Sequence, residues 1–91
     1  MAPLAGAPVA LPAATYNREW SSAVYRVESP DGIAPAGRQA RTLMRYEGSQ
    51  IGAAVAFDGP GYRCVSFGFP LETSPQMAET LAAVLRYFRA R

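Results

Sequence analysis

The sequence predicts an α+β domain: a three- to four-stranded antiparallel sheet with one C-terminal helix packed on a face. Three observations carry that expectation. Two apolar runs of strand length, Ile51–Phe57 and Tyr62–Phe69, flank the turn-forming tetrad Asp58-Gly59-Pro60-Gly61 and read as a hairpin. Arg41–Glu47 alternates as a strand and is joined to that hairpin by the short turn Gly48-Ser49-Gln50, so three consecutive antiparallel strands are the simplest arrangement. The segment after Ser74 has helical periodicity.

In chain order, residues 1–15 are Ala/Pro-rich and read as a flexible arm, with an ordered extended arm as the alternative; residues 16–91 form a single small domain. Trp20 is the only tryptophan, and Ala23–Glu28 alternates as a strand with one solvated face. Ser29-Pro30-Asp31-Gly32 breaks that strand and Ala34-Pro35-Ala36-Gly37 extends the loop. In the next strand Thr42, Met44 and Tyr46 share one face, while Arg41, Leu43, Arg45 and Glu47 share a charged one.

In the hairpin, a loop of two or four residues sets Phe57 opposite Tyr62, with a three-residue loop, which shifts the pairing by one and stacks large on large, as the alternative. Side chains alternate across a strand, so Ile51, Ala53, Val55 and Phe57 fall with Tyr62, Cys64, Ser66 and Gly68. Gly52, Ala54 and Ala56 fall with Arg63, Val65, Phe67 and Phe69. Large residues thus oppose small ones, and both faces are apolar, as in a strand pair covered on each side. Pro70, lacking an N–H, stops the ladder. Ser74 fits a helix N-cap, Pro75 the first helical position, and Glu79 the positive end of the dipole. Met77, Leu81, Val84, Leu85 and Phe88 form the apolar stripe, with Leu81 and Leu85 expected on the sheet.

Composition narrows the chemistry. All nine basic residues are Arg, which with the abundant Ala points to high-GC coding bias, and a net charge of +2 is too weak to imply nucleic acid. A single cysteine excludes an intrachain disulfide and a cysteine-based zinc cluster. With no histidine, the commonest general base and metal ligand is missing. No apolar run approaches the roughly 20 residues that span a bilayer, and the N-terminus lacks the basic region of a signal peptide.

The stretch GAAVAFDGPGYRCVSFGFPLET, followed by a capped helix ending LRYF, resembles the C-terminal end of class I glutamine-amidotransferase-like domains. The likeness is to those of bacterial proteins often labelled xanthan lyases, related to ThuA-like domains, which end with an Ala-rich strand, a Gly turn, an apolar strand closing in Gly-Phe-Pro-x-Glu and a final helix. YRVESPDGIAPAGRQARTLMRY is similar to their preceding strand and loop, so the resemblance runs from Tyr25 to Arg91. In such families the nucleophile lies on a strand-to-helix turn well upstream, and nothing here matches it. The resemblance therefore implies a detached terminal subdomain with no transferable catalytic residues.

Individual candidates read as structural. Cys64 sits mid-strand with no histidine to activate it, as a buried cysteine would. Asp58 and Glu72 lie at opposite ends of a strand, too far apart for paired-carboxylate chemistry. Gly59-Pro60-Gly61 lacks the Lys and Ser/Thr of a phosphate loop. Arg38, Arg41 and Arg45, with Tyr46 nearby, form a basic edge better explained by solubility than by nucleic acid.

The expectation is a non-catalytic interaction or accessory module that self-associates as a dimer, with no catalytic, cofactor-binding or metal-binding residue, no cofactor, no membrane partner and no nucleic acid. The alternatives are a small-molecule-binding domain, taking an apolar ligand in a cavity lined by Tyr62, Phe67 and Met77, or an inactive terminal piece of an amidotransferase-like enzyme. Compartment stays open.

Overall fold

The computed structural model describes residues 1–18 and 30–89. A four-stranded antiparallel sheet carries one C-terminal helix, so the fold is α+β. The strands are β1 (Ala2–Pro3), β2 (Ala40–Arg45), β3 (Gly52–Asp58) and β4 (Arg63–Phe67), in spatial order β1-β2-β3-β4. A 3₁₀ turn, Leu71–Thr73, leads into helix α1 (Met77–Arg89). Trp20 and the alternating segment Ala23–Glu28 lie outside the described residues.

The first fourteen residues are part of the domain rather than the flexible arm their composition suggested. Ala2 and Pro3 pair with Arg45 and Met44, and Leu4 N–H donates to Leu43 C=O at 2.9 Å. The chain then loops back. The Met1 ammonium donates to Ala14 C=O, and Ala14 N–H returns a bond to Met1 C=O at 3.0 Å. Met1, Val9, Leu11 and Ala14 are all buried in one core cluster with the sheet and helix. The area those four side chains remove from water holds the arm down against its chain entropy. A composition of small residues conceals that, because only Val9 and Leu11 in mid-segment are large.

β2 and β3 depart from simple alternation in a compensated way. Thr42 opposes Val55 but Met44 opposes Ala54, and Arg45 then returns to Gly52. Leu43 on β2 and Ala53 on β3 are the extra residues, one bulge on each strand. Both Leu43 and Met44 are completely buried, although strict alternation assigned them to opposite faces and gave Leu43 to the charged one. Gly48, at φ 74°, makes the β2–β3 turn in the left-handed region, where a side chain is strained. Tyr46 N–H then reaches Ile51 C=O at 3.1 Å.

The β3–β4 hairpin keeps the expected division of faces with its pairing moved by two residues. Phe57 opposes Cys64 rather than Tyr62, and Gly59 N–H donates to Tyr62 C=O at 2.9 Å around Pro60-Gly61. An even shift leaves the paired residues Ala54–Asp58 and Arg63–Phe67 on their predicted faces. Large still meets small, as Ala54 opposes Phe67 and Ala56 opposes Val65. Only one face is fully covered, however. On the side with Val55 and Phe57 half-buried, Cys64 and Ser66 are exposed.

Segment 31–33 crosses the far end of β3 and β4. Asp31 N–H donates to Gly68 C=O at 2.7 Å and Ile33 N–H to Gly52 C=O at 3.0 Å. The Asp31 carbonyl lies where a Cβ on residue 68 would stand, so only glycine admits that approach.

Ser74 caps the start of the helix as expected, but the helix itself runs from Met77, with Pro75 and Gln76 in a turn before it. Ser74 Oγ accepts from Gln76 N–H at 3.2 Å, and Met77 N–H donates to Ser74 C=O at 3.1 Å. Its orientation differs from the expected one. The residues facing the core are Thr80, Ala83, Val84 and Tyr87, spaced i, i+3, i+4, i+7. Met77, Leu81, Leu85 and Phe88 are 38%, 43%, 51% and 44% exposed. The space that the helix leucines were expected to fill lies within a core that also holds Val9, Leu11 and Met44, against which Val65 and Phe67 pack. Gln76 fixes the helix start to the arm, its Oε1 accepting from Thr15 N–H at 2.9 Å.

Candidate functional site

Two surface features stand apart from the packing: an apolar stripe on α1 and a polar cleft beside its C-terminal half. The stripe consists of Met77, Leu81, Leu85 and Phe88, at helical spacings i, i+4, i+8 and i+11. At 3.6 residues per turn it lies roughly 100° around the helix from the buried stripe. Single exposed leucines are ordinary on a protein surface; four large apolar side chains in one row are not. Tyr62, 64% exposed, lines an open cleft with Phe88, Arg89 and the hairpin turn, not with Phe67 and Met77.

The second feature is held by the bottom of the sheet and by α1. Pro8, Arg38, Gln39, Arg41, Ala56, Asp58 and Tyr87 line a cleft of about 370 Å³. Arg41 opposes Ala56 on the covered face of the sheet, and Asp58 N–H donates to Gln39 C=O at 2.9 Å, which fixes the strand ends. Asp58 pairs with Arg63 at 3.2 Å across the hairpin. Arg63 also donates to Tyr87 C=O at 2.5 Å, and its guanidinium lies 4.9 Å from the centre of the Tyr87 ring. Burial, and then the nearby Asp58 carboxylate, raise the Tyr87 pKa above the usual tyrosine value, while Arg63 opposes the shift. Tyr46 is likewise raised, first by burial and then by Tyr16 and Asp31. Its hydroxyl donates to Asp31 C=O at 2.7 Å.

Sequence reasoning named some of these residues and missed others. Arg38 and Arg41 come together in the cleft, but Arg45 lines a different one with Ile33, Pro35 and Ile51. Cys64 is exposed, not buried, because it points to the open face; its Sγ is 4.0 Å from Ser66 Oγ. Glu72 belongs to the 3₁₀ turn and Asp58 to the end of β3, so the two carboxylates occupy separate elements. Tyr87 was overlooked, although its spacing from Thr80 and Val84 marks it as part of one helix face. Among the described residues, no group of three or more Cys, Asp or Glu is placed to hold a metal ion, and no helix is long and apolar enough to cross a membrane.

Compared with known proteins, the chain matches no family model, no curated protein and no solved structure.

Proposed function

We propose that the protein is a non-catalytic interaction module whose first partner is a second copy of itself, joined through helix α1. The observation that supports this reading is the exposed row Met77-Leu81-Leu85-Phe88 beside an already complete core. The sequence argument for self-association placed the apolar surplus on the second face of the sheet; the surplus lies on the helix. A row of this kind is self-complementary about a two-fold axis near its middle, with Met77 of one copy meeting Phe88 of the other and the leucines between them. Covering a patch of about 300–600 Å² contributes roughly 25 cal/mol per Å² before the costs of association. Standard interfaces bury about 800 Å² per partner, so the dimer recruits the flanks of the helix as well, where Ala78 and Ala82 are also exposed. Their small side chains allow close approach of two helices.

Descent from the end of an amidotransferase-like domain is compatible with this role and is a proposal about origin, supported by the Gly-Phe-Pro-x-Glu ending and the helix that follows. Sedimentation equilibrium at micromolar concentration tests the function. The expected mass is twice that of the 9.8 kDa chain. A strictly monomeric mass throughout the range refutes the proposal.

A further inference from the structure

Methionine differs from the other members of the outer row in one chemical respect. Leucine and phenylalanine are inert to mild oxidants, whereas a thioether takes up an oxygen atom and becomes a polar sulfoxide. The chain has three methionines, Met1, Met44 and Met77. Met1 is 5% exposed and Met44 not at all, both inside the core cluster, while Met77 is 38% exposed. Burial thus leaves a single thioether open to a dissolved oxidant, and it stands at one end of the row Met77-Leu81-Leu85-Phe88.

That position decides what a sulfoxide does. In the separate chain the Met77 side chain is at the surface, where water solvates the added oxygen. The backbone beneath it is held independently, Met77 N–H donating to Ser74 C=O at 3.1 Å and Thr80 N–H to Gln76 C=O at 3.0 Å. Oxidation therefore leaves the fold and the helix start intact. In the two-fold pairing through α1, Met77 meets Phe88 of the second copy, and the same oxygen is sealed in an apolar contact. A polar group buried without a partner costs stability, and the sulfur–aromatic contact is lost. A modification shifts an equilibrium only by its different effect on the two states. Here it acts on the dimer alone.

We propose that Met77 is an oxidation site through which a peroxide holds two copies of the chain apart. The inference rests on the self-association through α1 argued under the function. In the reaction, the Met77 sulfur attacks one peroxide oxygen with a lone pair and the O–O bond breaks. Sulfur is oxidised to the sulfoxide, and the departing hydroxide takes up the proton of the transferred oxygen and leaves as water. Linkage makes the effect reciprocal: oxidation weakens the dimer, and the dimer shields Met77 from the oxidant.

The test uses the full chain with Cys64→Ser, because that exposed thiol is also oxidisable. Hydrogen peroxide is the oxidant, peptide mass mapping locates the added oxygen, and sedimentation equilibrium gives the dissociation constant before and after treatment. The expected product carries one oxygen, on Met77, with Met1 and Met44 unmodified. Its dissociation constant should rise about tenfold for each buried sulfoxide, and so about a hundredfold for a dimer that contains two. Oxidation of Met77 should slow as protein concentration rises through the dimerisation range. Met77→Leu has no thioether in the row, so its own dissociation constant should not move with peroxide. A shift in that variant as large as the parent's overturns the proposal. A dimer unchanged after complete oxidation of Met77 overturns this inference alone, as does oxidation of Met1 or Met44 as fast as that of Met77 in the folded chain. An untreated chain that is monomeric throughout overturns the self-association itself, and this inference with it.

Discussion

The two sides of helix α1 invert the usual pattern. The side turned to the core carries Thr80, Ala83, Val84 and Tyr87, of which two are polar and one is alanine. The side turned outward carries Met77, Leu81, Leu85 and Phe88, all large and apolar. The inner side also holds two buried hydroxyls, Thr80 Oγ1 and Tyr87 Oη, with no partner among the described residues. A helix in a self-sufficient domain would have these roles exchanged. The inner side faces the buried cluster that the arm and sheet share with the helix, whereas the outer row is left exposed on the surface of the chain.

Truncation on the two sides should separate them most strongly. Met44→Ala, in the completely buried core beneath the helix and arm, is expected to cost about 2–5 kcal/mol in urea denaturation. Leu81→Ala, measured at concentrations where the protein is monomeric, should stay within about 0.5 kcal/mol, as surface changes do. A loss at Leu81 equal to that at Met44 would mean that the helix lies with its leucines inward after all.

That contrast also marks what was legible in the sequence. The hairpin, its division of faces and the helix start were readable because alternation, the Gly/Pro turn and Ser74 are local signals. An even change of register left the faces of Val65 and Phe67 untouched, so that part of the reading tolerated the wrong partner for Phe57. Helix orientation was not readable, because Leu81 and Val84 both belong to one broad apolar arc and periodicity does not say which edge of it meets the sheet. The arm's order stood only as the alternative to a flexible tail, because its anchor residues, Met1, Val9, Leu11 and Ala14, are held by contacts with distant segments. Leu43 and Met44, adjacent yet both buried, required the paired bulges that alternation cannot express. The cleft was half visible in Arg38 and Arg41 and invisible in Tyr87, whose position depends on the roll of the helix.

A smaller effect sharpens the inner side. Thr80 is completely buried, its hydroxyl without a partner among the described residues, so Thr80→Val, of nearly the same shape, should stabilise the protein by about 1 kcal/mol. A destabilisation of similar size would reveal a partner for the hydroxyl and remove one of the two anomalies of the buried face.

Alkaline titration bears on Tyr87 and Tyr46 together. Both have folded pKa values raised above the ordinary tyrosine value near 10. The unfolded chain therefore loses these protons first, so their contribution is fully present below about pH 10 and is lost as pH climbs through the raised folded values. The denaturation midpoint should fall across that window, and Tyr87→Phe should reduce the slope. A midpoint that rises with pH there would contradict the burial of the two phenols.

The smallest perturbation tests the open face of the sheet. Cys64 should label fully with a thiol reagent in the folded protein, and Cys64→Ser should leave stability within about 0.5 kcal/mol. Labelling that required denaturant would show that this face is covered as well.

The central claim, that the outer stripe of α1 is buried by a second copy, is tested most directly by the dependence of stability on protein concentration. Urea denaturation of the native chain at about 1 µM and about 100 µM should differ by about 2.7 kcal/mol per dimer, the mass-action value for a hundredfold change. A Leu81→Glu, Leu85→Glu protein should unfold at the same urea concentration in both samples. A native chain whose midpoint is equally indifferent to concentration over that range would contradict the account.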